Sequence, residues 1–170
     1  GRFMYENTTP RAHEMAAALI GAGVDVQGIY RQLFEEMPPA KLALLALALG
    51  RVRRFDDGRL TLVSLDAQDF RDAHAQSSYS EGIIDHLRAV QGTKVATLIR
   101  EMVEPERAGQ RKVSLRATDD DIDVSAIARA QGGGGHRRAA GFSTTLGPEQ
   151  LIAFLREQIT AQLALAPAPA

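Results

Sequence analysis

The chain has 170 residues, 45% of them apolar, no cysteine, and 20 basic against 21 acidic side chains for a net charge of −1. This fits one domain of ordinary size with an appendage, and a core that needs no covalent staples. The composition excludes disulfides, thiolate metal sites and a polyanion binder held by bulk charge, and the longest apolar run, 42–49, is too short for a helix to cross a bilayer.

In chain order, Phe3 and Tyr5 alternate with polar residues, so 1–7 reads as a strand end or loop. Thr8-Thr9-Pro10 starts a helix with a hydroxyl cap and a proline in the first turn. Met15, Leu19 and Ile20 stripe that helix, and Gly21-Ala22-Gly23 stops it. Asp25 should cap a second helix through Glu36, with Ile29, Leu33 and Phe34 at helical spacing. Pro38-Pro39 launches a third helix over 41–51; its interior is almost wholly Leu and Ala, which predicts burial on most sides. The three helices have the pattern of a lid or a connector.

From Val52 the pattern changes. Residues 52–55, Asp56-Asp57-Gly58 and 59–65 predict a hairpin, with Leu60 and Leu62 facing one way and Val63 and Leu65 the other, as in a central strand. Asp66 should cap a short helix over 67–73, and 77–90 contains another, with Ile83, Ile84 and Leu87 apolar. The strand at 93–103 sets Val95, Thr97 and Ile99 against Lys94, Leu98 and Arg100. The next, 111–117, sets Val113 and Leu115 against Lys112, Ser114 and Arg116. A strand with a basic, hydroxyl-bearing face is either solvated or lines a site. The acidic run 119–123 precedes an apolar helix pattern and is read as helix-start charge rather than as a metal cluster. A short strand at 141–145 and a last helix from Gly147-Pro148, with Leu151, Leu155, Ile159 and Leu163 on one stripe, complete the pattern; the tail after Leu165 should be disordered. The order predicts an α/β fold: a mixed β-sheet flanked by helices, preceded by a helical linker.

No nucleophile–base pair or metal set is evident. His13, His74, His86 and His136 are scattered, and Asp85-His86 point about 100° apart on a helix. The feature that stands out is Gly132-Gly133-Gly134-Gly135-His136-Arg137-Arg138-Ala139-Ala140-Gly141. Four glycines lose much backbone entropy on ordering, and bare N–H groups can wrap an anion with no Cβ in the way. A flexible linker is the alternative, but this run lies between an apolar helix pattern and an apolar strand pattern. If 136–141 opens a helical turn, the helix dipole would also face the anion. The expected phosphate-binding set is Gly132, Gly133, Gly134, Gly135, His136 and Arg137, with Arg100, Ser114 and Arg116 from neighbouring strands. Arg forks match phosphate geometry.

Gly-Gly-Gly-His-x-x-Ala-Ala-Gly, here 133–141, resembles the signature of the DHH-associated domain that ends the DHH phosphoesterases. Other segments agree in order: Gly1-Arg2-Phe3 with Tyr5-x-Asn7-Thr8-Thr9-Pro10, then Ser80-Glu81-Gly82-Ile83-Ile84-Asp85, Leu98-Ile99-Arg100-Glu101, Val113-Ser114-Leu115-Arg116, and the helix from Asp123-Val124. The nearest subgroup is the NrnA-type oligoribonuclease and phosphoadenosine-phosphate phosphatase. The resemblance implies that 1–51 is the end of a catalytic domain plus a helical linker, and 52–165 a substrate-binding domain. It implies a parent hydrolase acting on short RNA, dinucleotides or nucleoside phosphates in the cytoplasm. The two manganese ions would be held by an N-terminal domain whose Asp-His-His element is absent from these residues. The fragment alone would then hold no metal, have no catalytic residue and be inactive. A parent that mainly cleaves cyclic or linear signalling dinucleotides, and a non-catalytic nucleotide-binding module, are the alternatives. The related domain of alanyl-tRNA synthetases is disfavoured by Asn-Thr-Thr-Pro. Tyr79 is a departure, at a position where many relatives should carry an acid. No membrane partner is expected, and a homodimer is.

Overall fold

The structure, a computed structural model, describes residue 3 and residues 8–165. The strand-or-loop reading of 1–7, apart from Phe3, and the disorder expected of 166–170 lie outside the described residues. Contacts divide the chain into two units, Gly1–Pro38 and Pro39–Ala170.

The first unit contains α1 (Pro10–Gly21) and α2 (Val26–Phe34). Thr9 Oγ1 accepts from the Ala12 amide at 3.3 Å and Asp25 Oδ1 from the Gly28 amide at 2.8 Å, so both helices start at the caps predicted for them. Gly23, at φ +87°, makes the turn between them. The second helix stops at Phe34, two residues before the expected Glu36.

The second unit opens with α3 (Pro39–Gly50), which the sequence boundary at residue 51 had grouped with the linker. Its expected burial on most sides does not occur. Only Leu44 and Ala48 are buried, while Leu42 and Leu49 are exposed. Those two buried residues are an i, i+4 pair, so α3 touches its neighbours along one stripe only.

The six-stranded sheet has the order β1-β2-β3-β4-β6-β5. Its strands are β1 (Arg53–Phe55), β2 (Leu60–Leu65), β3 (Val95–Glu101), β4 (Arg111–Ala117), β5 (Gly134–His136) and β6 (Ala139–Thr144). Only β2 and β3 are parallel, joined through α4 (Ala67–Asp72), a 3₁₀ turn (Ser77–Ser80) and α5 (Ile83–Arg88). The hairpin turn between β1 and β2 puts Asp56, Asp57 and Gly58 all at positive φ, as a tight turn of the right hand for a twisted pair demands.

Side-chain alternation gives the sheet two apolar faces of different extent. On one face Leu60, Leu62, Val95, Ile99, Val113, Leu115 and Phe142 pack under α6 (Val124–Arg129) and α7 (Pro148–Leu165). Ile127, Leu151, Leu155 and Ile159 are buried there, and Phe142 meets Phe154 edge-on with ring centroids 6.3 Å apart. On the other face Val63, Leu65, Ala96 and Leu98 are covered by Leu44 and Ala48 of α3, Phe70 of α4, and Ile83, Ile84 and Leu87 of α5. Among the described residues no helix is long and apolar enough to cross a membrane.

Candidate functional site

The second face is only half covered. Strand registers line its residues up in rows that run across the sheet, and each row changes character from β2 towards β5. One row reads Leu65, Arg100, Lys112, Ser143. The next reads Val63, Leu98, Ser114, Gly141, Gly134, and the third Thr61, Ala96, Arg116, Ala139, His136. The apolar ends lie beneath α3, α4 and α5. The polar and glycine ends are half-buried or exposed.

Where cover stops there is a cavity of about 510 Å³. Its floor is Leu98, Arg100, Lys112, Ser114 and Arg116; its wall is the 3₁₀ turn with Glu81, Gly82, Ile84 and Asp85. Gly82, at φ +92°, is the hinge that lets the chain leave that turn and enter α5. Three cations therefore face one cavity. Among the described residues none of them pairs with a carboxylate, and Arg100 Nη1 is buried with no hydrogen-bond partner. Arg116 donates only to the carbonyl of its neighbour Leu115, at 3.0 Å. A buried guanidinium nitrogen without an acceptor costs free energy that a bound anion would recover.

Most other cations of the sheet unit are neutralised. Arg111 pairs with Glu101 at 2.7 Å, Arg156 with Asp56 at 2.6 Å, and Arg53 with Glu149 at 2.7 Å. The acidic run 119–123 takes up several more, and the helix-start reading holds for one member. Asp123 caps α6 through the Ser125 and Ala126 amides. The Ser125 hydroxyl above all, then those amides, hold its carboxyl below the usual aspartate range against the opposing effect of burial. Asp119 and Asp121 instead grip Lys94, at 2.7 and 2.5 Å, and these bonds raise the Lys94 ammonium above its ordinary value. Asp120 takes a two-point contact from Arg138, which holds its carboxyl low.

The glycine run does not open a helical turn. It is the outer strand of a hairpin, β5 paired with β6, with Arg137 and Arg138 in the turn between them. Three of its glycines are required by the fold. Gly132 has φ +73°; a Cβ on Gly133 would run into the Gly141 carbonyl and Phe142; Gly135 combines φ +141° with the Ala139 carbonyl and Ala140 in its way. Gly134 is different. Nothing lies within 4 Å of where its Cβ would be. It sits on the uncovered face, in the row of Gly141 and Ser114, so two bare residues and a hydroxyl make a stretch of sheet on which backbone is accessible.

Of the residues predicted for the site, Arg100, Ser114 and Arg116 meet in the cavity, and His136 and Gly134 extend the same face outwards. Gly132, Gly133 and Gly135 serve the hairpin. Arg137 is turned to the acidic loop: its Nη2 donates to the Asp120 carbonyl at 2.6 Å, and Asp120 and Asp123 carboxylates lie at 3.7 Å. Lys112 and the serines Ser77 and Ser78 were missed. Lys112 had been placed on the right strand face, and its alternation with Ser114 and Arg116 was the signal. Among the described residues no group of three or more His, Asp or Glu side chains could hold a metal ion.

The second unit is thus an α/β domain in which a cluster of cations, without carboxylate partners among the described residues, lies beside a glycine-rich hairpin. The DHHA1 domain model matches residues 65–164, and the chain belongs to that family. It is 31% identical over 166 residues to the bifunctional oligoribonuclease and PAP phosphatase NrnA of Thermus thermophilus, covering 94% of this chain and 47% of that protein. An exopolyphosphatase-related protein from Bacteroides fragilis shares the fold with a TM-score of 0.83 at 21% identity, over 96% of this chain and 46% of that one. The pGpG-specific phosphodiesterase PggH from Vibrio cholerae aligns with a TM-score of 0.53 at 14% identity, over 96% and 54%. The chain spans about half the length of these proteins.

Proposed function

We propose that this chain is the nucleotide-binding part of a phosphoesterase that hydrolyses short oligoribonucleotides and 3′-phosphoadenosine 5′-phosphate in the cytoplasm. The observation that carries the reading is the cavity floor, where Arg100, Lys112 and Arg116 face one space with no carboxylate partner among the described residues. Similarity to an oligoribonuclease and PAP phosphatase supports the substrate class. In this reading Arg116 and His136, in one row, grip a phosphate, Ser114 adds a hydroxyl, and Gly134 lets the ligand approach the backbone. The chemistry of bond cleavage, with its manganese, belongs to a domain outside these residues, and the chain by itself turns nothing over. Calorimetric titration with AMP, phosphoadenosine phosphate and diadenylate tests the assignment. Arg116→Ala and His136→Ala should each weaken binding by about tenfold or more. Absence of binding by the wild type, or binding by both variants as tight as that of the wild type, would overturn it. Hydrolysis by this chain with added manganese would overturn the division of labour. The alternative, a parent enzyme devoted to cyclic or linear dinucleotides, is separated by competing those ligands against phosphoadenosine phosphate.

A further inference from the structure

The parallel pair β2 and β3 ends at a second cavity, of about 560 Å³, which shares no lining residue with the first. Ala67, Phe70, Arg71, His74, Ala75 and Val103 line it. Ala67 stands two residues beyond the end of β2 and Val103 two beyond the end of β3, so the cavity lies outside the carboxyl ends of both strands. Open α/β sheets commonly hold ligands at that end. The volume suits a small molecule, and the lining has two parts. Ala67, Phe70, Ala75 and Val103 supply apolar surface, with Val103 left 38% exposed. Arg71 and His74, both exposed, supply the polar edge.

Neither polar group is engaged by a carboxylate among the described residues. The acids of α4 and its cap are taken: Asp69 by Arg51 at 2.7 Å, Asp66 by the Asp69 amide at 3.0 Å, and Asp72 by Gln68. Glu101, at the end of β3, accepts from the Ala67 amide at 3.1 Å and pairs with Arg111 at 2.7 Å. Arg71 is left with one neutral acceptor, Gln68 Oε1, at 3.1 and 2.7 Å. His74 follows α4 at φ +49°, and beyond it the Ala75 amide reaches back to the Phe70 carbonyl at 2.8 Å. Such a left-handed helix end is made most easily by glycine or asparagine. A histidine there costs conformational energy, and the ring it brings stands at the edge of the cavity.

We propose that this cavity binds a small planar molecule with one anionic group, its ring against Phe70 and Val103 and its charge between Arg71 and His74. A guanidinium fork meets a carboxylate or a phosphate in the same two-point way. The apolar surface separates such a ligand from a free anion. The inference does not rest on the nucleotide reading, since the two cavities have no residue in common.

The test is an amide-resolved NMR titration of the full chain with benzoate, phenyl phosphate, acetate and benzyl alcohol. Benzoate or phenyl phosphate should shift the amides of 67–75 and of Val103 along one saturating curve, and the tighter of the two identifies the anion. Acetate and benzyl alcohol each carry half of the chemistry and should bind there about tenfold more weakly or worse. Arg71→Met should weaken the aromatic anion by about tenfold and leave benzyl alcohol unchanged. His74→Asn, which suits the left-handed turn, should weaken it too while keeping the wild-type thermal midpoint. Shifts confined to the first cavity, or none with either aromatic anion, would overturn the proposal. So would acetate or benzyl alcohol binding as tightly as the aromatic anion, or wild-type affinity in both variants.

Discussion

Two halves of one sheet face follow the same strand alternation and end differently. Over β2 and β3 the outward residues are Val63, Leu65, Ala96 and Leu98, and three helices bury them. Over β4, β6 and β5 the same positions hold Lys112, Ser114, Arg116, Gly141, Gly134 and His136, and none of these is buried. The opposite face has no such division, because α6 and α7 lie under the strands that the second face leaves bare. The open half is therefore polar on one side and closely packed on the other. A site supported in this way can dispense with side chains where a ligand must come close.

The largest expected effect separates the halves by stability. Leu65 is fully buried in the covered half, and Leu65→Ala should cost about 2–5 kcal/mol. Arg116→Ala, in the open half, should change stability by only about 0.5 kcal/mol while weakening nucleotide binding. Chemical denaturation of both variants beside ligand titration checks the contrast. Loss of stability by the Arg116 variant comparable with that of the Leu65 variant would mean that the open half is structural.

The halves were unequally legible in the sequence. Alternation gave the strand faces of β2, β3 and β4 directly, and caps such as Thr9, Asp25 and Asp66 gave the helix starts, since both signals are local. Which face a helix covers is a long-range matter. The Leu/Ala composition of α3 therefore predicted burial on most sides, although only Leu44 and Ala48 are fully buried and Leu45 and Leu47 pack beside them in part. The glycine run was read as an anion loop, and the family motif pointed to the same residues. What the sequence left open was why each glycine is there, because φ and the nearness of Gly141, Phe142 and Ala139 are properties of a hairpin pairing. Arg137 was grouped with the ligand contacts for its charge and for the match of an arginine fork to phosphate. In the structure it lies in the turn between β5 and β6 and donates to the Asp120 carbonyl of the acidic loop.

Adjacent glycines sharpen the comparison further. Gly133→Ala would drive a Cβ into the Gly141 carbonyl and Phe142, so the hairpin must shift and the protein should lose about 1–3 kcal/mol. Gly134→Ala meets open space and should be stability-neutral, yet it adds a methyl where the ligand is proposed to approach the backbone. Melting curves and titrations of the two variants should therefore cross: one loses stability, the other loses affinity. Unchanged affinity in Gly134→Ala would remove the glycine stretch from the site and leave the cations as its whole basis.

The smallest effect concerns the acidic loop that engages the remaining cations. The carboxyls of Asp120 and Asp123 are held below their ordinary values, the first chiefly by the Arg138 hydrogen bond and the second chiefly by the Ser125 hydroxyl. A group whose folded value is depressed contributes stability that is complete above its unfolded value and is lost as pH falls through the folded one. The thermal midpoint should therefore stay level through neutral pH, as far as these groups decide it, and decline below about pH 4. Asp120→Asn removes one titrating partner, so its midpoint should be lower than wild type at neutral pH and the gap should narrow in acid. Lys94 has the opposite sign: its raised value means that its contribution persists through neutral pH and disappears only as pH rises through the lysine range. Melting the wild type and Asp120→Asn from pH 3 to 8 is the check. A gap that widened in acid would show that Asp120 does more than neutralise Arg138, and the contrast between engaged and free cations would have to be redrawn.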